Sequence, residues 1–220
     1  LLPAGVQLLA AQMPGREERF VEPPLRDLDT ALRHLASAIE PLLDRPFVFF
    51  GHSLGALIAY ELTRLLRSRG RPMPAHLFVS GRRAPCVPIG RRPFHDLPDD
   101  ELIQEIKKLN GTSEGVLQND ELMALVLPTL RADFAIHDTY RYREQAALDV
   151  PFSVFGGLDD IATSSENLSA WESLTTRGAR LSLFRGGHFF IEELREEVLA
   201  SIHRVLMPLL EPRALPATAT

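Results

Sequence analysis

Five short runs, each apolar on both faces, recur along this chain with helically spaced stretches between them: Val6–Ala11, Phe47–Phe50, Leu77–Val79, Phe152–Phe155 and Leu181–Phe184. A strand that is apolar on both faces has to be covered on both faces. A parallel sheet with helices above and below supplies that cover. The intervening stretches have the matching helical period. Leu25, Leu28, Leu32, Leu35, Ile39 and Leu42 step by three and four to give one apolar stripe. Leu54 to Arg69 reads as a second helix, closed by Gly70 and carrying arginines near its C-terminal end, where cations suit the helix dipole. Ser164 or Ser165 can cap a third that runs to Arg177 and stops at Gly178. Ile191 to Leu206 makes a fourth, with Pro208 near its end. The alternation predicts an α/β fold with a mainly parallel sheet and right-handed crossovers.

One stretch breaks the alternation. From Phe94 to Ala147 there is no strand pattern. A helix is expected from about Asp99 to Asn110-Gly111, and another from Leu122 to Phe134 with a kink at Pro128. Such an insertion is too long for a connector and predicts a helical lid. The expected organisation is a core of residues 1–93 and 148–210, a lid at 94–147, and a weakly ordered tail at 211–220.

Composition excludes several classes. With 220 residues, 45% hydrophobic and 24% charged, the chain is neither disordered nor collagen-like nor a disulfide framework. No apolar run approaches the ~18 residues of a membrane span. A net charge of −5 argues against general nucleic-acid binding, which needs a basic field. Cys86 is the single cysteine and has no internal partner, which together with the lack of a visible signal segment predicts a cytoplasmic protein. No metal-ligand spacing, phosphate loop or dinucleotide fingerprint is present, so no metal and no cofactor are expected.

The chemistry is concentrated in three places. Gly51-His52-Ser53-Leu54-Gly55 is a G-x-S-x-G motif that directly follows a strand pattern and directly precedes a helix. That setting is the nucleophile elbow. The turn is sharp, glycine is expected on both flanks, and Ser53 is pushed out at the carboxyl end of the strand. The Leu54 backbone N–H, at the positive end of a helix, can face a developing oxyanion. A serine needs a base. Of the seven histidines, His188 follows Arg185-Gly186-Gly187 just after the last strand, where the glycines let the loop turn the imidazole toward the sheet edge. His34 and His203 lie in helical patterns, His76 precedes a strand, and His95 and His137 fall in the lid. His52 is within the elbow but faces the wrong way to serve its neighbour. The acid that orients the imidazole is Asp159 or Asp160, after Phe155-Gly156-Gly157-Leu158. Ser80-Gly81-Arg82-Arg83, after the Leu77–Val79 strand, offers no competing acid. The order Ser, Asp, His suits this hydrolase architecture.

These segments, with the QMPGREER stretch (Gln12–Arg19), GHSLGA (Gly51–Ala56), FGGLDD (Phe155–Asp160) and GGHFFI (Gly186–Ile191), resemble the type II thioesterases that accompany polyketide synthases and nonribosomal peptide synthetases. The resemblance covers nearly the whole chain and implies an α/β-hydrolase. Carried over by position, it implies Ser53 as nucleophile, His188 as base and Asp159 as acid. It implies a substrate acyl group on the phosphopantetheine arm of an acyl or peptidyl carrier protein, and an editing role that removes stalled or wrong acyl groups. A monomer is expected. Leu125, Leu130, Phe134 and Val116 are candidate walls of an acyl channel, with packing inside the lid as the competing role. Arg82, Arg83, Arg91 and Arg92 are candidates for docking an acidic carrier protein.

The family pattern begins with a strand and a P-H-A-G-G type loop that supplies a second oxyanion N–H, and nothing of that kind precedes Leu1. The chain is therefore expected to be a fragment. In that case the Val6 and Phe47 runs should lie about 10 Å apart, twice the ~4.8 Å strand spacing, unless something else fills the slot. Three other functions fit the same motifs. They are a chain-releasing or cyclising thioesterase domain excised from a synthase, a general carboxylesterase, and a binding protein of hydrolase fold without activity.

Overall fold

The computed structural model describes residues 2–109, 114–117 and 119–211. Helix α1 (Leu28–Ile39) is followed by β1 (Val48–His52), α2 (Leu54–Ser68) and β2 (His76–Ser80). Three helices come next, α3 (Asp99–Leu109), α4 (Glu114–Leu117) and α5 (Asp120–Thr139). Then follow β3 (Phe152–Gly157), α6 (Ser165–Ser169), β4 (Ala179–Phe184), α7 (Phe190–Glu193) and α8 (Arg195–Leu210). Among the described residues the sheet has four strands in the order β1-β2-β3-β4, all parallel.

Side-chain alternation assigns the two faces. Leu77 and Val79 of β2 join Phe152 and Val154 of β3 on one face, against Ala56 and Tyr60 of α2, Leu168 of α6 and Trp171. Phe78 and Phe155 point the other way and meet Phe184, Phe190 and Val198. The inner strands β2 and β3 are therefore buried at every residue, whereas β1 and β4 are only partly covered. Helix α1 forms an outer layer, packing Leu32 and Ala36 on Leu62 of α2.

Four of the five expected strands are present. Val6–Ala11 is not one of them. Among the described residues it joins no strand, and Leu8 and Leu9 face solvent. An apolar run becomes a strand only beside a free edge in register. Among the described residues β1 pairs with β2 alone, and its Phe50 is 45% exposed. Leu2 and Val6 instead pack beside the Phe78–Phe184 cluster.

The helices depart from expectation at their ends. Asp27 caps α1 by accepting from Thr30 N–H, so Leu25 lies outside it. Ser164 caps α6, but the helix gives way to a 3₁₀ turn at Ala170–Leu174 well before Arg177. Leu194, at φ −110° and ψ 38°, divides the expected Ile191–Leu206 helix into α7 and α8, and α8 continues through Pro208. Helix α5 is longer than expected and contains Pro128. The expected Asn110-Gly111 stop and the tail beyond Glu211 lie outside the described residues.

The α3–α5 segment has its own apolar cluster, with Phe94, Leu97, Leu102, Ile106, Met123 and Leu127 at its centre. Val116, Leu130 and Phe134 pack into that cluster, whereas Leu125 is exposed. The Gln12–Arg19 stretch straps onto this segment. Arg16 pairs with Asp133, and Thr129 Oγ1 donates to Gly15 O at 3.0 Å. Gly15, at φ +84°, is required there, because a Cβ would fall 2.9 Å from both Pro24 and Thr129.

Candidate active site

The elbow is a strained turn. Ser53 has φ 53° and ψ −114°, a conformation that costs a non-glycine residue on the order of 1–3 kcal/mol. Its N–H donates to Ser80 O at 2.8 Å, which ties the turn to the end of β2. A Cβ on Gly51 would lie 2.1 Å from Gly55 O, so glycine is obligatory at that flank. The expectation of a second obligatory glycine is corrected: a Cβ on Gly55 would meet nothing within 4 Å. Leu54 is the first residue of α2, and an N–H at that position has no intrahelical acceptor.

His188 follows β4 and reaches the elbow across the sheet. Its ring centroid is 5.0 Å from that of His52. His188 Nδ1 and Asp160 Oδ2 are 2.8 Å apart, and both side chains are buried. With Nδ1–H donating to the carboxylate, the Nε2 lone pair is free to accept a proton. Asp160 Oδ1 also accepts from Ala162 N–H at 2.8 Å, so the carboxylate is held at both oxygens.

The family resemblance implies Asp159 as the acid, whereas the structure sets Asp160 against the His188 ring. After Gly157 the chain leaves the sheet, and successive side chains diverge. Asp159 is exposed and Asp160 points inward to the imidazole. Asp159 instead joins the two loops, with its N–H donating to Gly186 O at 2.9 Å and its Oδ2 accepting from Gly186 N–H. The loops are in close contact here, since a Cβ on Gly157 would lie 2.3 Å from Gly187 O.

His52 is not a second base. Its Nδ1 lies 3.0 Å from Ser80 Oγ, its Nε2 is buried without a partner, and its ring packs on Gly81. Burial, with the charge of His188, lowers its pKa to about 4 against the pull of Asp160. Burial alone brings His76 to about 4, where Nε2 meets Ser153 Oγ at 2.9 Å. Burial dominates at His137 as well, also about 4, with the Asp138 hydrogen bond opposing it.

These three values set an acid limit on stability. An unfolded histidine titrates near ~6.5, so between ~6.5 and ~4 the unfolded chain holds more protons than the folded one. Their contribution to stability is then complete above that window and is lost as pH falls through it. The melting temperature of His76→Gln should drop less than that of the parent between about pH 7 and about pH 4.5. Equal drops in the two proteins would remove His76 as a contributor.

Asp138 of α5 was not singled out in the sequence, yet it organises this end of the inserted segment. It accepts from Phe94 N–H at 2.6 Å and pairs with Arg91 at 2.9 Å and His95 at 3.1 Å. Burial would raise its pKa, but the hydrogen bonds from His137 and His95 and the charge of Arg91 hold it well below the usual carboxylate range.

The four candidate docking arginines do not form one surface patch. Arg82 follows Gly81, which has φ +60°, and is 4% exposed. Arg83 is half-buried and donates to Val87 O. Arg91 lies over the Phe94 ring at 3.5 Å. Arg92 is exposed and pairs with Glu101.

A strained serine turn at the carboxyl edge of a parallel sheet, with a buried His–Asp pair packed beside its His52, is the arrangement of the α/β-hydrolase class, although Ser53 Oγ and the His188 ring form no hydrogen bond among the described residues. Residues 1–206 match the thioesterase domain family, and the chain belongs to that family as a serine thioesterase. It is 40% identical over 211 residues to the gramicidin S biosynthesis protein GrsT of Aneurinibacillus migulanus, covering 96% of this chain and 82% of that one. Among solved structures, the type II thioesterase BorB of the borrelidin biosynthetic cluster superposes with a TM-score of 0.79 at 36% identity, covering 88% of this chain and 78% of BorB. ClbQ of the colibactin NRPS/PKS pathway gives a TM-score of 0.89 at 31% identity, covering 94% of this chain and 88% of ClbQ. Among the described residues no helix is long and apolar enough to cross a membrane.

Proposed function

We propose that this thioesterase hydrolyses acyl groups from the phosphopantetheine arm of a carrier protein in nonribosomal peptide or polyketide synthesis, clearing stalled or aberrant intermediates. The observation that carries the reading is the Asp160–His188 hydrogen bond set beside the strained Ser53 turn. The pathways of GrsT, BorB and ClbQ support the choice of substrate.

His188 Nε2 takes the Ser53 proton as Oγ attacks the thioester carbonyl. The Leu54 N–H faces the oxyanion. The carbon–sulfur bond then breaks, and the sulfur leaves with the proton held by His188. A thiol with pKa near ~8.5 departs far more readily than an alcohol, so a thioester suits this machinery. In the second half, His188 takes a proton from water, the hydroxide attacks the acyl-enzyme, and Ser53 is restored as the free acid departs. Asp160 stabilises the imidazolium in each half. The α3–α5 segment, inserted between β2 and β3, acts as the lid over the acyl group.

The test is a panel of acyl groups loaded on a carrier protein, with the same acyl groups as simple oxygen esters. Carrier-bound thioesters should turn over at least ~10-fold faster per unit concentration, about 1.4 kcal/mol in the barrier. Equal turnover of the oxygen esters would make the protein a general carboxylesterase instead.

A further inference from the structure

A cavity of about 380 Å³ opens where the segment after β2 meets the C-terminal end of α5. Four arginines, Arg82, Arg83, Arg91 and Arg141, line it against one carboxylate, that of Asp138. Three of the four have partners. Arg83 donates to Val87 O, Arg91 pairs with Asp138, and Arg141 donates to the carbonyls of Asp138 and Tyr140. Arg82 differs from them. It is 4% exposed, and its Nε and Nη1 are buried with no hydrogen-bond partner.

A buried guanidinium with unmet donors is costly, because charge and N–H groups are both taken from water without replacement. The surroundings make this worse: burial first, then the charges of Arg83 and Arg91, bring its pKa down to about 9. The local acid offers little relief, since Asp138 is already engaged by Arg91, His95 and two backbone N–H groups. An oxyanion placed between the arginines would accept from the free donors and offset the excess positive charge. The guanidinium fork is shaped for phosphate or carboxylate oxygens.

We propose that the Arg82 cavity is an oxyanion-binding site, taking a phosphate ester or a carboxylate. The site adjoins the reacting groups through Gly81, on which the His52 ring packs. It does not depend on the thioesterase reading, because binding there can be measured without hydrolysis.

The probes are sodium phosphate and sodium succinate, each compared with sodium chloride at matched ionic strength on the full chain. The readouts are melting temperature and the emission of Trp171, the chain's single tryptophan, whose Nε1 donates to Arg82 O at 2.8 Å. At least one oxyanion should raise the melting temperature and change the emission saturably where chloride does not. Arg82→Met should weaken that binding more than ~10-fold. Arg82→Lys, which keeps the charge and loses the fork, should weaken it to a smaller extent, and Arg92→Gln should leave it intact. Competition then identifies the source. Displacement by 4′-phosphopantetheine but not by pantetheine marks the carrier arm's phosphate, and displacement by succinate alone marks a carboxylate. Either supports the site. No response beyond chloride in the parent protein would overturn it, whatever the variants do, and so would an undiminished response in a folded Arg82→Met protein.

Discussion

Ser53→Ala should lower thioester hydrolysis by about 10⁴- to 10⁶-fold, the size of loss seen when the nucleophile of a comparable relay is removed. Folding should be almost untouched. Ser53 Oγ makes no hydrogen bond among the described residues, so its loss leaves no buried donor or acceptor without a partner. The strained φ of 53° belongs to the backbone and is tolerated no better by alanine, so little is regained either. The melting temperature should therefore move by less than ~3 °C. Single-turnover release of the acid from a loaded carrier protein, set beside thermal unfolding, checks both halves. Retention of more than a hundredth of the parent rate would remove Ser53 as the nucleophile.

The second large effect separates two adjacent carboxylates. Asp160→Asn should cost about 10³- to 10⁴-fold in kcat, because an amide can hold the imidazole in the wrong tautomer and carries no charge to balance the imidazolium. Asp159→Asn should cost less than ~10-fold. Asp159 is exposed, and its backbone bond to Gly186 survives the change. A reversed ranking, with Asp159→Asn the crippled variant, would restore the acid to the position that the family resemblance implies.

These two variants mark how far the sequence could be read. The elbow was legible because each of its requirements is local: a strand pattern, a glycine that Gly55 O would otherwise strike, a serine and a helix start within a few residues. His188 was legible for a similar reason, standing after paired glycines at a strand end. Choosing between Asp159 and Asp160 was a different problem. It depends on which side the chain faces as it leaves β3, a phase that one residue reverses. Val6–Ala11 has the composition of a strand, but pairing is a property of two segments and composition belongs to one. Arg82 looked like a surface cation beside Arg83, yet after the positive-φ turn at Gly81 it is buried. Asp138 gathers Arg91 and His95 from more than forty positions away, contacts that no local pattern announces.

The order of the strands has a mechanical consequence. Among the described strands Ser53 follows β1, at one end of the order, while the ring it must meet follows β4 at the other. Three interstrand gaps of ~4.8 Å, about 14 Å in all, separate those ends. Nucleophile and base thus meet across a span whose tolerance is set by how β2 and β3 stack, much as a frame fixes the alignment of two bearings. Fine adjustment of rate in this protein is accordingly open to residues deep between the helical layers, such as Gly156 beneath Leu168, that never approach a reacting atom.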